Sequence, residues 1–328
     1  MKRADASETA LRRSAMLMTA FGPVIGAALA DDEVIEILGN PDGGLWIERQ
    51  GTGLAAEAAR LRPADVERII RLVASEANMT CDRDHPIVSA ELPSGERFEG
   101  LLPPVAPAPC FAIRKPASRT FTLADYVDAG AMTGADALVL KSAIARRHNI
   151  LIAGGASSGK TTLANALLAE IAKAGDRLVI LEDTRELRAE APDMVALRTA
   201  PNVPLERLVR STLRLRPDRI IIGEVRGGEA LDLLKAWNTG HPGGVATVHA
   251  NSASSALTRL EQLIAERTRE IPQELIAEAI DLVVFMKRGA TGRRVEDILR
   301  VEGLGPEGYR LMKPASPDLV IVKEGTTP

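Results

Sequence analysis

The stretch that decides the fold is GGASSGKT, residues 154–161. It fits the pattern G-x-x-x-x-G-K-[ST], in which a glycine-rich loop turns successive backbone N–H groups toward a phosphate. The apolar segment NILIA (149–153) leads into the loop, and TTLANALLAEIA (161–172), which has helical spacing, follows it. Because the motif lies between a predicted strand and a predicted helix, we expect a phosphate-binding loop at a helix amino terminus.

The residue types in this loop favour a nucleoside triphosphate bound together with magnesium. We expect the ammonium group of Lys160 to pair with the β- and γ-phosphates, and the hydroxyl of Thr161 to bind Mg²⁺. The predicted nucleotide contacts are Gly154, Gly155, Ala156, Ser157, Ser158, Gly159, Lys160, Thr161 and Thr162.

Two acidic residues end buried strands farther along the chain. Glu182 ends the apolar run in RLVILEDTREL (177–187), and Glu224 ends the one in RPDRIIIGEVRGG (216–228). Taken alone, each acid at a strand end is more often a helix cap or a solvated residue at the rim of the sheet. Parallel α/β sheets bind ligands at the carboxyl ends of their strands, so we expect both acids near the phosphate loop. We assign Glu182 to polarising the attacking water and Glu224 to the magnesium side. The two roles could be exchanged, and either carboxylate could bind the metal.

The pattern of apolar residues divides the chain into two predicted domains. Buried strands alternate with amphipathic helices over residues 136–328, which predicts an α/β domain with a doubly wound, mostly parallel sheet. Residues 1–118 combine short strands, proline and glycine turns and a helix, which predicts a smaller α+β domain. Residues 119–135 are predicted to be a linker with a short helix.

The apolar run AMLMTAFGPVIGAALA (15–30) has some features of a secretory signal. However, Asp5 and Glu8 interrupt the basic residues before it, and Gly22 with Pro23 splits the run in two. We therefore expect a helix whose apolar face packs on the first domain.

Composition limits the classes of partner. The net charge is −3 and aromatic residues make up 3% of the chain, which gives little basis for attracting nucleic acid or stacking on its bases. Two cysteines, Cys81 and Cys110, are too few for a disulfide framework or a zinc site and fit a reducing compartment. Basic clusters at 210–219 and 286–294 keep a nucleic-acid motor as an alternative.

Four motifs, taken in their order, resemble those of the traffic ATPases of type II and type IV secretion. In that family they are called Walker A, Asp box, Walker B and His box, and here they read GGASSGKTT, VILEDTREL, RPDRIIIGEVRG and GHPGGVATVHANS. The family's Walker B also carries Gly-Glu, so Gly223 is no departure. In the first domain, VIEILGNPDGGLWIERQG (34–51) and the segments around Arg97 and Arg114 resemble conjugal transfer ATPases of the TrbB type. The resemblance covers nearly the whole chain.

This resemblance implies a RecA-like P-loop domain that hydrolyses ATP with Mg²⁺. It also implies a homo-oligomer, a hexameric ring of two-domain subunits in which the first domain moves as ATP binds and leaves. Arginines of the family's first domain reach the terminal phosphate, and by motif position these are Arg97 and Arg114. Arg119, Arg185 and Arg226 are further candidates for such a cation.

The implied function is an ATP-driven motor of a type IV secretion or conjugation system, powering pilus assembly or substrate transfer. Such a motor lies in the cytoplasm, bound peripherally at the inner membrane to membrane components of the secretion system, and we expect no direct nucleic-acid binding. Tad-type and type IV pilus assembly or retraction ATPases share the four motifs and remain the alternative. A nucleic-acid motor and a nucleotide-gated scaffold with little turnover are the other classes.

Two of the four histidines bracket one glycine-rich segment, GHPGGVATVHANS (240–252). A shared metal site is disfavoured, because His241 and His249 are too far apart in sequence for one helical face and no further ligand lies nearby. We expect His249 at the carboxyl end of a strand, donating to a γ-phosphate oxygen. His241 is expected to order the preceding turn or to meet a neighbouring subunit.

Overall fold

The structure is a computed structural model and describes residues 2–116, 120–200, 202–289 and 292–314. The chain divides into two compact units, Met1–Ser118 and Arg119–Pro328. The domain boundary predicted after residue 118 falls in residues 117–119, which lie outside the described residues. The candidate Arg119 lies outside them for the same reason.

The first unit is an antiparallel sheet covered by helices. Its described elements are, in chain order, α1 (Lys2–Ala30), β1 (Val34–Gly39), β2 (Gly44–Arg49), β3 (Gly53–Arg60), α2 (Pro63–Glu76), β4 (Ile87–Glu91), β5 (Arg97–Leu101) and β6 (Cys110–Arg114). The strand order is β3-β2-β1-β6-β5-β4, and every neighbouring pair is antiparallel. Ile37, Phe98 and Ile113 are buried in one core with Ile70 of α2. Strand β3, GLAAEAAR, was not predicted because its residues lack β-branched or aromatic side chains.

Helix α1 covers the apolar run at residues 15–30, so the predicted helix is confirmed there. Gly22 has φ +69° and Pro23 follows it, and this pair kinks the helix. Leu17, Phe21 and Ile25 are buried in the core of the first unit, as expected for packing on this domain. Among the described residues, no helix has the length and apolar character required to cross a membrane.

The second unit is an α/β sheet with helices on both faces. Its described elements are α3 (Leu123–Asp128), α4 (Gly134–Ala145), β7 (Ile150–Gly154), α5 (Lys160–Ala172), β8 (Leu178–Glu182), β9 (Met194–Arg198), α6 (Leu205–Thr212), β10 (Arg219–Val225), α7 (Glu229–Asn238), β11 (Val245–His249), α8 (Ala253–Ala265), α9 (Gln273–Ala279), β12 (Leu282–Gly289), β13 (Gly292–Gly305) and β14 (Gly308–Met312). The strand order is β14-β13-β12-β7-β11-β10-β8-β9. From β12 to β9 each neighbouring pair is parallel, whereas β13 and β14 add antiparallel strands at one side.

Side chains of the central strands alternate between two apolar cores, one on each face of this sheet. On β7, Ile150 and Ile152 lie in the core that includes α4 and α5. Leu151 and Ala153 lie in the other core, which includes residues of α6, α7 and α8. Such burial on both faces requires continuous apolar strands, which is how β7, β8 and β10 read in sequence. The predicted α/β class is confirmed, and the sheet is mixed.

The segment 119–135, predicted as a linker, contributes to the core of the second unit. Its short helix is α3, whose residues Leu123 and Tyr126 are buried together with Met132. Strand β9 was not predicted. It is the edge strand beside β8, and its residues alternate between exposed and half-buried positions.

Candidate functional site

The phosphate loop lies at the carboxyl edge of the second sheet. Strand β7 ends at Gly154 and α5 begins at Lys160, so the strand and helix predicted around the loop are confirmed. Gly159 is the N-cap of α5 and has φ +97°, a conformation that side chains other than glycine rarely adopt. Residues 155–157 are exposed, which leaves the outer side of the loop open to a ligand.

The amine of Lys160 is buried beneath this loop and is surrounded by acceptors. Its Nζ donates to the carbonyl oxygens of Gly154, at 3.0 Å, and Gly155, at 2.9 Å, and lies 3.3 Å from Nδ1 of His249. The neighbouring hydroxyl of Ser158 is buried and has no hydrogen-bond partner among the described residues. A buried cation and an unsatisfied hydroxyl under a glycine loop fit a phosphate group.

Glu182, the last residue of β8, is 4% exposed. Its Oε1 accepts hydrogen bonds from the backbone N–H groups of Glu186, at 2.9 Å, and Leu187, at 2.8 Å. Burial raises the pKa of Glu182 to about 7, and these two N–H donors act in the opposite direction. Glu182 is therefore a carboxylate that can exchange a proton near neutral pH.

Gly223 of the neighbouring strand β10 explains how Glu182 is accommodated. A Cβ atom at position 223 would lie 3.0 Å from Cγ and 3.3 Å from Oε1 of Glu182. The side chain of Glu182 thus fills the space that a larger residue at 223 would need. A glycine at position 223 is compatible with this packing.

Glu224 and His249 form a row of charged and polar groups with Lys160. Oε2 of Glu224 accepts from Arg226, at 2.8 Å from Nε and 2.5 Å from Nη2. Oε1 of Glu224 lies 2.7 Å from Nε2 of His249, although this oxygen has no partner with hydrogen-bond geometry among the described residues. Burial and the charge of Lys160 lower the pKa of His249, while Glu224 acts in the opposite direction. His249 is therefore neutral at neutral pH, between a cation and a carboxylate.

Glu186 is an acid of this edge that the sequence analysis missed. Its Oε2 accepts from the hydroxyl of Thr161 at 3.2 Å. Asn165 of α5 holds the segment, because its side chain donates to the carbonyl of Glu186, at 3.1 Å, and accepts from the N–H of Arg188, at 2.8 Å. The available signal was a second glutamate four residues after Glu182 in ILEDTREL.

In the described part of the chain, no group of three or more His, Cys, Asp or Glu side chains is placed to hold a metal ion. Mg²⁺ commonly takes one or two protein ligands and completes its shell with phosphates and water. The hydroxyl of Thr161 beside the carboxylate of Glu186 fits that smaller requirement. Of the acids predicted for the metal, Glu182 ends β8, and Glu224 lies one residue before the end of the adjacent strand β10.

Of the other predicted residues of the second unit, His241 lies away from this edge. His241 precedes β11, at the end opposite His249, and its Nδ1 lies 3.0 Å from the carbonyl oxygen of Pro217, which orders the turn. Arg97 and Arg114 belong to the first unit, where they lie directly opposite each other on β5 and β6.

Comparisons with known proteins show the family of this chain. Residues 24–289 match the protein family described as "Type II/IV secretion system protein". The conjugal transfer protein TrbB of Rhizobium radiobacter is 52% identical over 297 residues, covering 90% of this chain and 92% of the relative. The type IV secretion system protein PtlH of Bordetella pertussis is 36% identical, over 84% of this chain and 93% of its own.

Among solved structures, the ATPase DotB of Legionella pneumophila superposes with a TM-score of 0.59 at 20% identity, over 83% of this chain and 78% of that one. This likeness supports the fold alone. The family match and the two relatives confirm the resemblance to conjugal transfer proteins of the TrbB type, and the chain belongs to the family of type II/IV secretion system proteins.

Proposed function

We propose that this protein is an ATPase with a RecA-like P-loop domain that powers a type IV secretion or conjugation machine. The observation that carries the proposal is the convergence of Lys160, His249, Glu224 and Glu182 beside one phosphate loop. Its similarity to a conjugal transfer protein over 90% of the chain supports the setting of a conjugation machine.

In this proposal each charged group at the loop has a separate task. Lys160 leaves the loop carbonyl oxygens and binds the β- and γ-phosphates, and His249 donates a hydrogen bond to the γ-phosphate. Glu182 accepts the proton of the attacking water, because its pKa of about 7 suits proton transfer at neutral pH. Glu224 is held by two hydrogen bonds from Arg226 and belongs to the magnesium side.

Mg²⁺ would be held by Thr161 with Glu186, Glu182 or Glu224, and it would neutralise charge on the β- and γ-phosphates. The nucleotide would lie along residues 154–162, with the exposed residues 155–157 wrapping its phosphates. These assignments need only side chains from the carboxyl edge of one sheet.

We further propose that Arg97 and Arg114 act on the terminal phosphate in a ring of identical two-domain subunits. Arg97 and Arg114 lie directly opposite each other on β5 and β6, so both cations could act on one phosphate group. The ring would work in the cytoplasm, peripherally at the inner membrane, together with membrane components of the secretion system. The family to which the chain belongs supports this setting.

ATP turnover by the full chain tests the central proposal. Lys160→Ala removes the cation beneath the phosphates, and we expect phosphate release to fall at least ~100-fold. Lys173→Ala is the matched control, because Lys173 lies at the other end of α5 and pairs with Glu170 on the surface. Equal turnover in wild type and Lys160→Ala would overturn the site. Stimulation by single-stranded DNA that weakens steeply with salt would instead favour a nucleic-acid motor.

Arg114→Ala tests the arginine assignment separately. We expect ATP affinity within about twofold of wild type and turnover at saturating ATP lower by ~10-fold or more, because the lost cation acts in the transition state. Arg60→Ala, on the exposed strand β3 of the same unit, should leave both values unchanged. Full turnover by Arg114→Ala would contradict the assignment.

A further inference from the structure

The basic hairpin formed by the end of β12 and the start of β13 has no role in the nucleotide site proposed above. It contains Lys287, Arg288, Arg293 and Arg294, which belong to one of the two basic clusters that kept a nucleic-acid motor as an alternative. Strand β12 runs parallel to β7, and Met286 pairs with Gly154, the last residue of β7. The residues after Met286 therefore extend beyond the sheet edge on which the phosphate loop lies.

The two strands of the hairpin divide its cations between two faces. Lys287 is opposite Arg294, and Arg288 is opposite Arg293. Glu296 lies on the first of these faces, 3.2 Å from Nζ of Lys287 and 2.6 Å from Nη2 of Arg294. On a strand, residues two apart share a face, so Arg293 projects on the same side as Val295, which packs against the core that includes α5.

Arg293 lies directly against the phosphate loop. A Cβ atom at Gly159 would be 3.1 Å from Cδ and 3.6 Å from Cβ of Arg293, and 3.3 Å from Cε of Met286. The aliphatic part of Arg293 therefore covers the glycine that immediately precedes Lys160. A larger residue at position 159 is therefore disfavoured for two reasons, the positive φ of Gly159 and the close approach of Arg293.

The strand that carries Arg293 is also tied to the segment after α3. Burial raises the pKa of the Tyr126 hydroxyl, and the positive charge of Arg293 acts in the opposite direction. The N–H of Val295 donates to the carbonyl of Ala131 at 2.8 Å, which fixes the hairpin to the segment after α3. This bond fixes the strand that carries Arg293 beside the loop.

The strand order shows which part of a nucleotide this side of the loop would meet. His249 and Glu182 end β11 and β8, and Glu224 lies one residue before the end of β10; all three strands lie on one side of β7. The hairpin lies on the other side, because β12 and β13 follow β7 in the opposite direction. A nucleotide whose γ-phosphate points toward the acids would present its α-phosphate toward Arg293.

We propose that Arg293 is a nucleotide-binding residue that clamps the α-phosphate from the side of Gly159. The inference rests on the proposed function, because it needs a nucleotide at the loop. The guanidinium donates charge-assisted hydrogen bonds to the phosphate oxygens, a geometry in which arginine is favoured over lysine. The basic segment 286–294 then serves the nucleotide and not a nucleic acid.

The test is calorimetric titration of the full chain with ATP and with ADP. Arg293→Ala should weaken both nucleotides equally, by about tenfold, because a charge-assisted hydrogen bond contributes roughly this much. Arg293→Lys should recover part of the affinity, because it restores the charge without the planar guanidinium. Arg294→Ala is the matched control, since it removes the same charge from the other face of the hairpin and should change affinity less than about twofold.

Several results would overturn the inference while leaving the proposed function intact. Wild-type affinity in Arg293→Ala would do so, as would an equal loss in Arg294→Ala or a loss confined to ATP. Reduced binding of single-stranded DNA with unchanged nucleotide affinity would assign the hairpin to nucleic acid. If the wild type binds neither nucleotide, or Lys160→Ala binds both as well as wild type does, the proposed function itself fails.

Discussion

The parallel strands of the eight-stranded sheet begin at its amino edge and end at its carboxyl edge. Both edges carry buried polar side chains, but they differ in how completely the hydrogen bonds of those side chains are made. At the amino edge, Arg219 is 2% exposed and donates to Asp176, at 2.6 Å, and to the carbonyl oxygens of Gly243 and Ile144, at 3.2 and 3.1 Å. At the carboxyl edge, the buried hydroxyl of Ser158 has no hydrogen-bond partner among the described residues, and Oε1 of Glu224 lies 2.7 Å from Nε2 of His249 without hydrogen-bond geometry.

Asn149 extends the contrast. Its Oδ1 accepts from the N–H groups of Gly243 and Gly244, and its Nδ2 donates to the carbonyl of Ala279. These bonds tie the turn before β11 to β7 and α9. Buried polar groups are thus no sign of a ligand site by themselves. A ligand site is indicated when a buried polar group lies on a loop and the protein leaves the hydrogen bonds of that group incomplete.

The largest expected effect lies at the amino edge. Arg219→Ala leaves Asp176 and two carbonyl oxygens short of a buried partner, and we expect the free energy of unfolding to fall by ~3 kcal/mol or more. Urea unfolding measures this loss, and Arg210→Ala, which removes an exposed ion pair with Glu206, should cost less than ~1 kcal/mol. Nucleotide affinity of the folded Arg219→Ala protein should stay near wild type. If Arg219→Ala lowered nucleotide affinity but not the free energy of unfolding, the proposed difference between the two edges would be contradicted.

At the carboxyl edge, a substitution is expected to increase the free energy of unfolding. The pKa of Glu182 rises from 4.5 to about 7 in the folded protein, so folding takes up a proton between these values. Its contribution to stability is present below pH 4.5 and is lost as the pH rises through about 7. Glu182→Gln should therefore increase the free energy of unfolding at pH 8, by up to ~3 kcal/mol, and leave it unchanged near pH 4.5.

The same variant should bind ATP and hardly hydrolyse it, and wild-type turnover should decline as the pH falls below about 7. Asp183→Asn provides the control, because this neighbouring carboxylate is 40% exposed. Chemical denaturation at the two pH values, with phosphate release, measures both effects. A variant that is less stable at pH 8 would show that the ionised carboxylate stabilises the fold.

The smallest expected effects separate the two histidines at the ends of β11. His249→Ala removes a proposed γ-phosphate contact and should lower turnover about tenfold with little loss of stability. His241→Ala removes the contact with the carbonyl of Pro217 and should lower the unfolding free energy by ~1 kcal/mol at unchanged turnover. Similar loss of turnover in both variants would contradict their separation.

The parts of the fold that sequence predicted are those specified by local pattern. The loop before Lys160 and the strand ending in Glu182 each follow from a continuous stretch of residues. Glu186 and Arg293 were missed for a different reason. Glu186 reaches Thr161 because the chain turns back at Glu182, and Arg293 reaches Gly159 through a strand pairing between distant segments. No local periodicity encodes either approach.

The packing of Glu182 on Gly223 limits how this site could be redesigned. An engineer who introduced an aspartate at position 223, to imitate other P-loop enzymes, would place its side chain within the volume of the existing carboxylate. The two acids would have to be exchanged together, with a small residue at 182. A single substitution at 223 is therefore expected to displace the side chain of Glu182 from its present position.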